Sequence, residues 1–115
     1  MRRGIPRRVL KHCAYLVIDG TKVLFKKVYF EDEQAEKKNE LGFYTQKNAL
    51  LIIDKKSSLA YLEDGERVDL FDGNHPVKCG DLIVNYYTGD TYRVTSVSYI
   101  NVSGSICHVE ITGAG

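Results

Sequence analysis

The dipeptide Asp19-Gly20, set between two apolar runs, is the feature that most constrains this chain. Cys13 to Ile18 precedes it. Thr21 to Phe30 follows it and carries Val23, Leu24, Phe25, Val28, Tyr29 and Phe30. Glycine accepts the positive φ of a type I′ turn, so the pattern predicts a tight β-hairpin. The same grammar continues downstream. Apolar runs at Asn48–Asp54, Leu59–Leu62, Arg67–Phe71, Asp81–Tyr87, Thr91–Ile100 and Ile106–Thr112 alternate with turn formers such as Asp72-Gly73-Asn74-His75-Pro76 and Thr88-Gly89-Asp90.

One segment breaks the rhythm. Glu31 to Glu40 holds almost nothing to bury and, with Leu41 to Lys47, reads as one long loop over 31–47. Its charged members are Glu31, Asp32, Glu33, Glu36, Lys37, Lys38, Glu40 and Lys47. The unbroken apolar run Asn48–Asp54 suits a strand buried on both faces. In Ile106–Thr112, Cys107, Val109 and Ile111 share one face, and His108 and Glu110 share the other, wet one. In Thr91–Ile100 the apolar phase slips near Thr95-Ser96, which predicts a β-bulge that bends the strand. Six or seven short strands without a convincing helix predict an all-β fold: a small closed or partly open β-barrel, one domain over 1–115. The expected core is Val23, Phe25, Leu51, Ile53, Val84, Val94, Val97, Cys107, Val109 and Ile111.

Charge is poorly mixed although it nearly cancels. Residues 1–27 balance at +7 and the rest at −6. Residues 1–12 form a basic N-terminal arm with Arg2, Arg3, Arg7, Arg8 and Lys11, ahead of an acidic body. The net charge of +1 argues against a wholesale electrostatic nucleic-acid binder. No apolar run approaches the ~18 residues of a membrane-crossing helix. The basic start is followed by an apolar segment interrupted by Lys11, His12 and Asp19, unlike a signal peptide. A chain kept in the cytoplasm and away from membranes is expected.

Catalytic and metal-binding patterns are weak. Cys13, Cys79 and Cys107 form no CxxC pair and are expected as reduced thiols. A zinc site from them and His75 lacks the paired spacing of structural sites. His12-Cys13 and Cys107-His108 are sequence neighbours, which a strand points to opposite faces. GxSxG, HExxH and Walker sequences are absent. No catalytic residue, cofactor or metal is therefore expected.

Beside this bottom-up reading, Ile5-Pro6-Arg7-Arg8-Val9-Leu10-Lys11-His12 resembles the opening of small minor capsid proteins of tailed phages that infect Gram-positive bacteria. Gly80-Asp81-Leu82-Ile83-Val84, Tyr92-Arg93-Val94-Thr95-Ser96-Val97 and His108-Val109-Glu110-Ile111 are similar to their C-terminal half. Val28-Tyr29-Phe30-Glu31, Gly42 and Leu51-Ile52-Ile53 also look like related phage structural proteins. The chain departs from the pattern in lacking a Trp in the last strand and in carrying Cys107 beside His108.

The resemblance implies a head-closure, or stopper, component of the head–tail connector. Such a protein is not an enzyme. It forms a ring with copies of itself, contacts a portal or adaptor protein and tail proteins, and touches packaged DNA transiently and without sequence preference. Its place is the virion, after assembly in the host cytoplasm. The arm residues Arg2 to Lys11 would dock on a partner and the 31–47 loop would face the channel. A rival reading is a small β-barrel that binds single-stranded nucleic acid through Tyr86, Tyr87, Tyr92 and Tyr99 beside Arg93. A second rival is a small enzyme built on Cys79 or Cys107.

Overall fold

A computed structural model describes residues 10–69, 76–102 and 105–115; for 35–39, 43–46, 102 and 105–107 it describes the backbone alone. Eight strands run in chain order among these residues: β1 His12–Ile18, β2 Thr21–Asn39, β3 Gly42–Asp54, β4 Leu59–Leu62, β5 Arg67–Val68, β6 Leu82–Asn85, β7 Thr91–Val102 and β8 Ser105–Ala114. All pairings are antiparallel. The order β1-β6-β7-β8-β3-β2 closes on itself through β1–β2, giving a six-stranded barrel. Outside the ring, β4 pairs with 23–26 of β2, and β5 pairs with β4. Each of the six barrel strands has a partner on either side over part of its length, so the ring itself is closed.

The hairpin that opens the chain forms as its sequence requires. Asp19 and Gly20 have φ of 50° and 81°, the two positive values of a type I′ turn. A second irregularity shapes β2. Lys27 sits at φ 57°, and the β1 register slips opposite it, between His12 and Cys13. The slip moves the inward set from Val23 and Phe25 to Val28 and Phe30, so both pairs are buried. Ser58 Oγ donates to the Lys27 carbonyl at 2.6 Å and fixes the bend.

The core holds Val23, Phe25, Leu51, Ile53, Val94, Val109 and Ile111 as expected, joined by Leu16, Ile83 and Tyr92. Val97 packs against it partly buried. The β7 bulge falls between Val94 and Ser96. Other expectations need correction. Val84 faces outward and Ile83 inward, because pairing with β1 sets the parity of this four-residue strand. The β3 run is buried on one face only: Ala49, Leu51 and Ile53 are inside, Leu50 and Ile52 half-buried. His108, expected on a wet face, is 1% exposed. Strand alternation assigns a side chain to a face but does not say whether that face is covered. The side chain of Cys107 lies outside the description.

The largest revision concerns 31–47. This segment is not a loop. Glu31 to Asn39 pairs in unbroken register with Gly42 to Leu50, around a turn at Glu40-Leu41. An antiparallel ladder satisfies its backbone groups whatever its side chains bury, so an apolar-poor sequence still pairs.

Candidate functional site: a projecting hairpin and its polar root

The barrel end of the β2–β3 hairpin is held along its β3 side. There β3 pairs with β8 as far as Asn48↔Ala114, and the Gly115 N–H donates to the Lys47 carbonyl at 3.0 Å. Beyond this point, among the described residues, β3 has only β2 as a neighbour. Residues 34–47 thus leave the barrel as a two-stranded ribbon. Six residues per strand at ~3.4 Å each give it a reach of roughly 20 Å. Of the expected loop residues, Glu36, Lys37, Lys38 and Glu40 lie on the ribbon, while Glu31, Asp32 and Glu33 lie at its root and Lys47 at the boundary. Leu41 occupies the tip and is 97% exposed.

The root is built from polar groups around one buried phenol. Tyr92 is fully buried, and its hydroxyl donates to Asp32 Oδ2 at 2.5 Å. Asn85 Nδ2 donates to the same oxygen at 3.0 Å. Asn85 Oδ1 meanwhile accepts the Tyr87 and Thr88 N–H groups, so one side chain ties the ribbon root to the β6–β7 turn. Gln34 Nε2 donates to Asp90 Oδ2 at 3.1 Å, and Thr88 Oγ1 donates to that oxygen at 2.9 Å. Burial first, then the bond to Asp32, pushes the Tyr92 phenol up to about 12.

Asp32 lies among charged neighbours and reads as a solvated loop residue. Its signal is parity: Val28, Phe30 and Asp32 share one face of β2; the first two are buried, and Asp32, at the end of the barrel, is exposed yet still reaches the Tyr92 hydroxyl from that side. Tyr92, assigned above to a possible nucleic-acid platform, is instead the hinge of this cluster.

The arm at 1–12 is only partly described. Arg2, Arg3, Arg7 and Arg8 lie outside the described residues, and Lys11 is exposed. The arm's expected boundary at residue 12 moves back: Leu10 is buried, and His12 opens β1 and accepts the Phe30 N–H on Nδ1 at 3.2 Å.

At the opposite end, the buried Asp81 accepts the Lys78 N–H at 3.0 Å and the Asp19 N–H at 3.4 Å. Lys78 also pairs with Asp19, which holds its ammonium above the usual lysine range. This end is a structural closure of the first hairpin.

The two described thiols, Cys13 and Cys79, offer no constellation. Cys79 donates to the Thr95 carbonyl at 3.2 Å and is exposed, while Cys13 is half-buried on the outer face of β1. Among the described residues, no group of three His, Cys, Asp or Glu side chains is placed to hold a metal ion. Comparison with known proteins returns no matching family model, no matching curated protein and no matching solved structure.

Proposed function

We propose that this chain is a structural component of a tailed-phage head–tail connector, a barrel that joins a ring below the portal and turns its hairpin toward the DNA channel. The observation that supports this reading is the ribbon at 34–47, carried on a closed barrel and braced at its root. A rigid barrel gives a ring its wall, and a stiffened ribbon gives that wall an inward projection. Glu36 and Glu40 are interspersed with Lys37, Lys38 and Lys47 along the ribbon, so the ribbon would meet DNA phosphates without gripping them. The sequence resemblance to phage minor capsid proteins points the same way. A direct test replaces 35–46 with a two-residue turn and measures DNA retention in filled heads. Heads that leak DNA support the reading; heads that retain it as before contradict it.

One observation favours a second reading, a single-strand-binding barrel. Tyr15 and Tyr86 stack at 5.5 Å, Tyr87 packs edge-on against Tyr86, and Lys22 sits 4.2 Å over the Tyr15 ring. Bases stack on such platforms. Of the tyrosines first assigned to that role, Tyr86 and Tyr87 belong to this cluster and Tyr92 does not.

A further inference from the structure

The barrel has two outer faces of opposite character. The first spans β6, β1, β2 and β4. Cross-strand pairing lays Val84, Tyr15, Leu24 and Tyr61 in one row, with Leu82, Val17 and Lys22 in the next. Lys26 follows on the other side and lies 5.5 Å over the Tyr61 ring. Tyr86 and Tyr87 project at the margin, 45% and 65% exposed. The second face spans β2, β3, β8 and β7. Its rows are Tyr29, Ile52, Glu110 and Ser98, then Glu31, Leu50, Thr112 and Ser96, then Glu33, Asn48, Ala114 and Arg93. It contains a cleft of about 610 Å³ lined in part by Glu31, Glu33, Asn48, Thr95 and Thr112.

We infer that the tyrosine–lysine face of one copy docks into the acidic, hydroxyl-lined cleft of a second copy. Three arguments carry this. First, the charges are complementary: Lys22 and Lys26 on one face, and on the other Glu31, Glu33 and Glu110, which outnumber Arg93. Along β2 they stand on the order of 15 to 35 Å apart, beyond the ~10 Å screening length, so they do not neutralise one another within a chain. Second, the shapes match. Stacked tyrosines project from one face, and the other is concave. Half-buried aliphatics beside tyrosines are the composition of a protein interface rather than of a nucleic-acid groove. The Tyr15–Tyr86 stack is already formed, so little side-chain freedom is lost on docking. Third, the two faces are different surfaces. A contact between them is head-to-tail and propagates into a ring when its rotation closes.

The margins carry opposing charge as well. Glu63 lines the same shallow groove as Lys22 and Tyr61, and Asp19 pairs with Lys78 nearby. Four strands at ~4.8 Å spacing and three side-chain rows cover roughly 400 Å², about half of the ~800 Å² per partner of a standard stable interface. The contact is therefore weak, with a strong salt dependence.

The inference rests on the ring reading above, and its test separates the two. Sedimentation of the full chain over a range of concentrations, at low and high salt, reads self-association without any partner. Association should appear at high concentration and fall as salt rises. Lys22→Glu with Lys26→Glu, or Glu31→Lys with Glu33→Lys, should each weaken it about tenfold or more. The chain carrying all four reversals should regain it. Tyr86→Ala with Tyr87→Ala, at exposed positions where folding is not at stake, should weaken it without changing its salt slope.

A wild-type chain that stays monomeric at every concentration overturns the inference. So does association that ignores both charge reversals, or a lysine pair whose loss abolishes oligonucleotide binding but not assembly. Binding to portal-side connector proteins is scored separately. A chain that binds them but never self-associates sinks this interface alone. One that self-associates through these faces but ignores them sinks the connector reading alone.

Discussion

The two halves of β2 obey different rules. Residues 21–28 lie between β1 and β4 and alternate between core and surface, with Val23, Phe25 and Val28 buried. Among the described residues, the backbone of 34–39 has only β3 beside it. The first half is held by apolar burial, worth roughly 25 cal/mol per Å². The second half is held by its backbone ladder and by what happens at its root. A single strand thus passes from an element that stabilises the fold to one that the fold supports. Substitutions in the barrel half should be paid in global stability, and substitutions in the ribbon half should leave stability alone and change what the ribbon does.

The largest expected effect lies in the barrel half. Phe25→Ala should cost about 3–5 kcal/mol, because the ring is almost fully buried and its cavity cannot be refilled by a closed sheet. Chemical denaturation reads this directly. At the root, Asp32→Ala removes the acceptor of both the Tyr92 hydroxyl and Asn85, leaving a buried donor unsatisfied at a cost of about 1–3 kcal/mol. It should also speed amide exchange in 34–39 and 42–47. Unchanged exchange there would mean that the root does not brace the ribbon.

Alkaline titration sharpens the same point. The folded phenol of Tyr92 keeps its proton up to about 12, whereas an unfolded tyrosine loses it near 10. Between those values the unfolded state binds fewer protons. Stability is therefore flat with respect to this group below pH 10 and declines above it, by about 2–3 kcal/mol in all. Tyr92→Phe should flatten that decline while leaving the neutral-pH far-ultraviolet spectrum unchanged.

The smallest effects compare two turns. Gly20, at φ 81°, closes the barrel hairpin, and Gly42, at φ 124°, closes the ribbon. Gly20→Ala should cost about 1–2 kcal/mol of global stability. Gly42→Ala sits in a more forbidden region, yet its global cost should be under about 0.5 kcal/mol, because the ribbon tip opens locally without disturbing the core. Equal costs at both turns would erase the distinction between the halves.

How much of this was legible in the sequence follows from the same division. Where burial decides structure, residue pattern reports it: Asp19-Gly20, the Val94/Ser96 bulge and most of the core were readable. Where the backbone ladder decides, side chains are silent, and Glu31 to Lys47 read as a loop. Short strands leave parity open, so Ile83 and Val84 exchanged faces. Asp32 was hidden for a different reason. Its partners Asn85 and Tyr92 lie more than fifty residues away, and only closure of the barrel brings them together.

The proposed role is that of a barrel that joins a ring on a portal-side assembly. Light scattering coupled to size exclusion, on the full chain with and without tailed-phage portal and adaptor proteins, tests that proposal most directly. The account predicts a chain that associates only weakly alone and enters a discrete ring-sized complex when those proteins are present. A chain that ignores them, and instead shifts on addition of a single-stranded oligonucleotide at low salt, would contradict it.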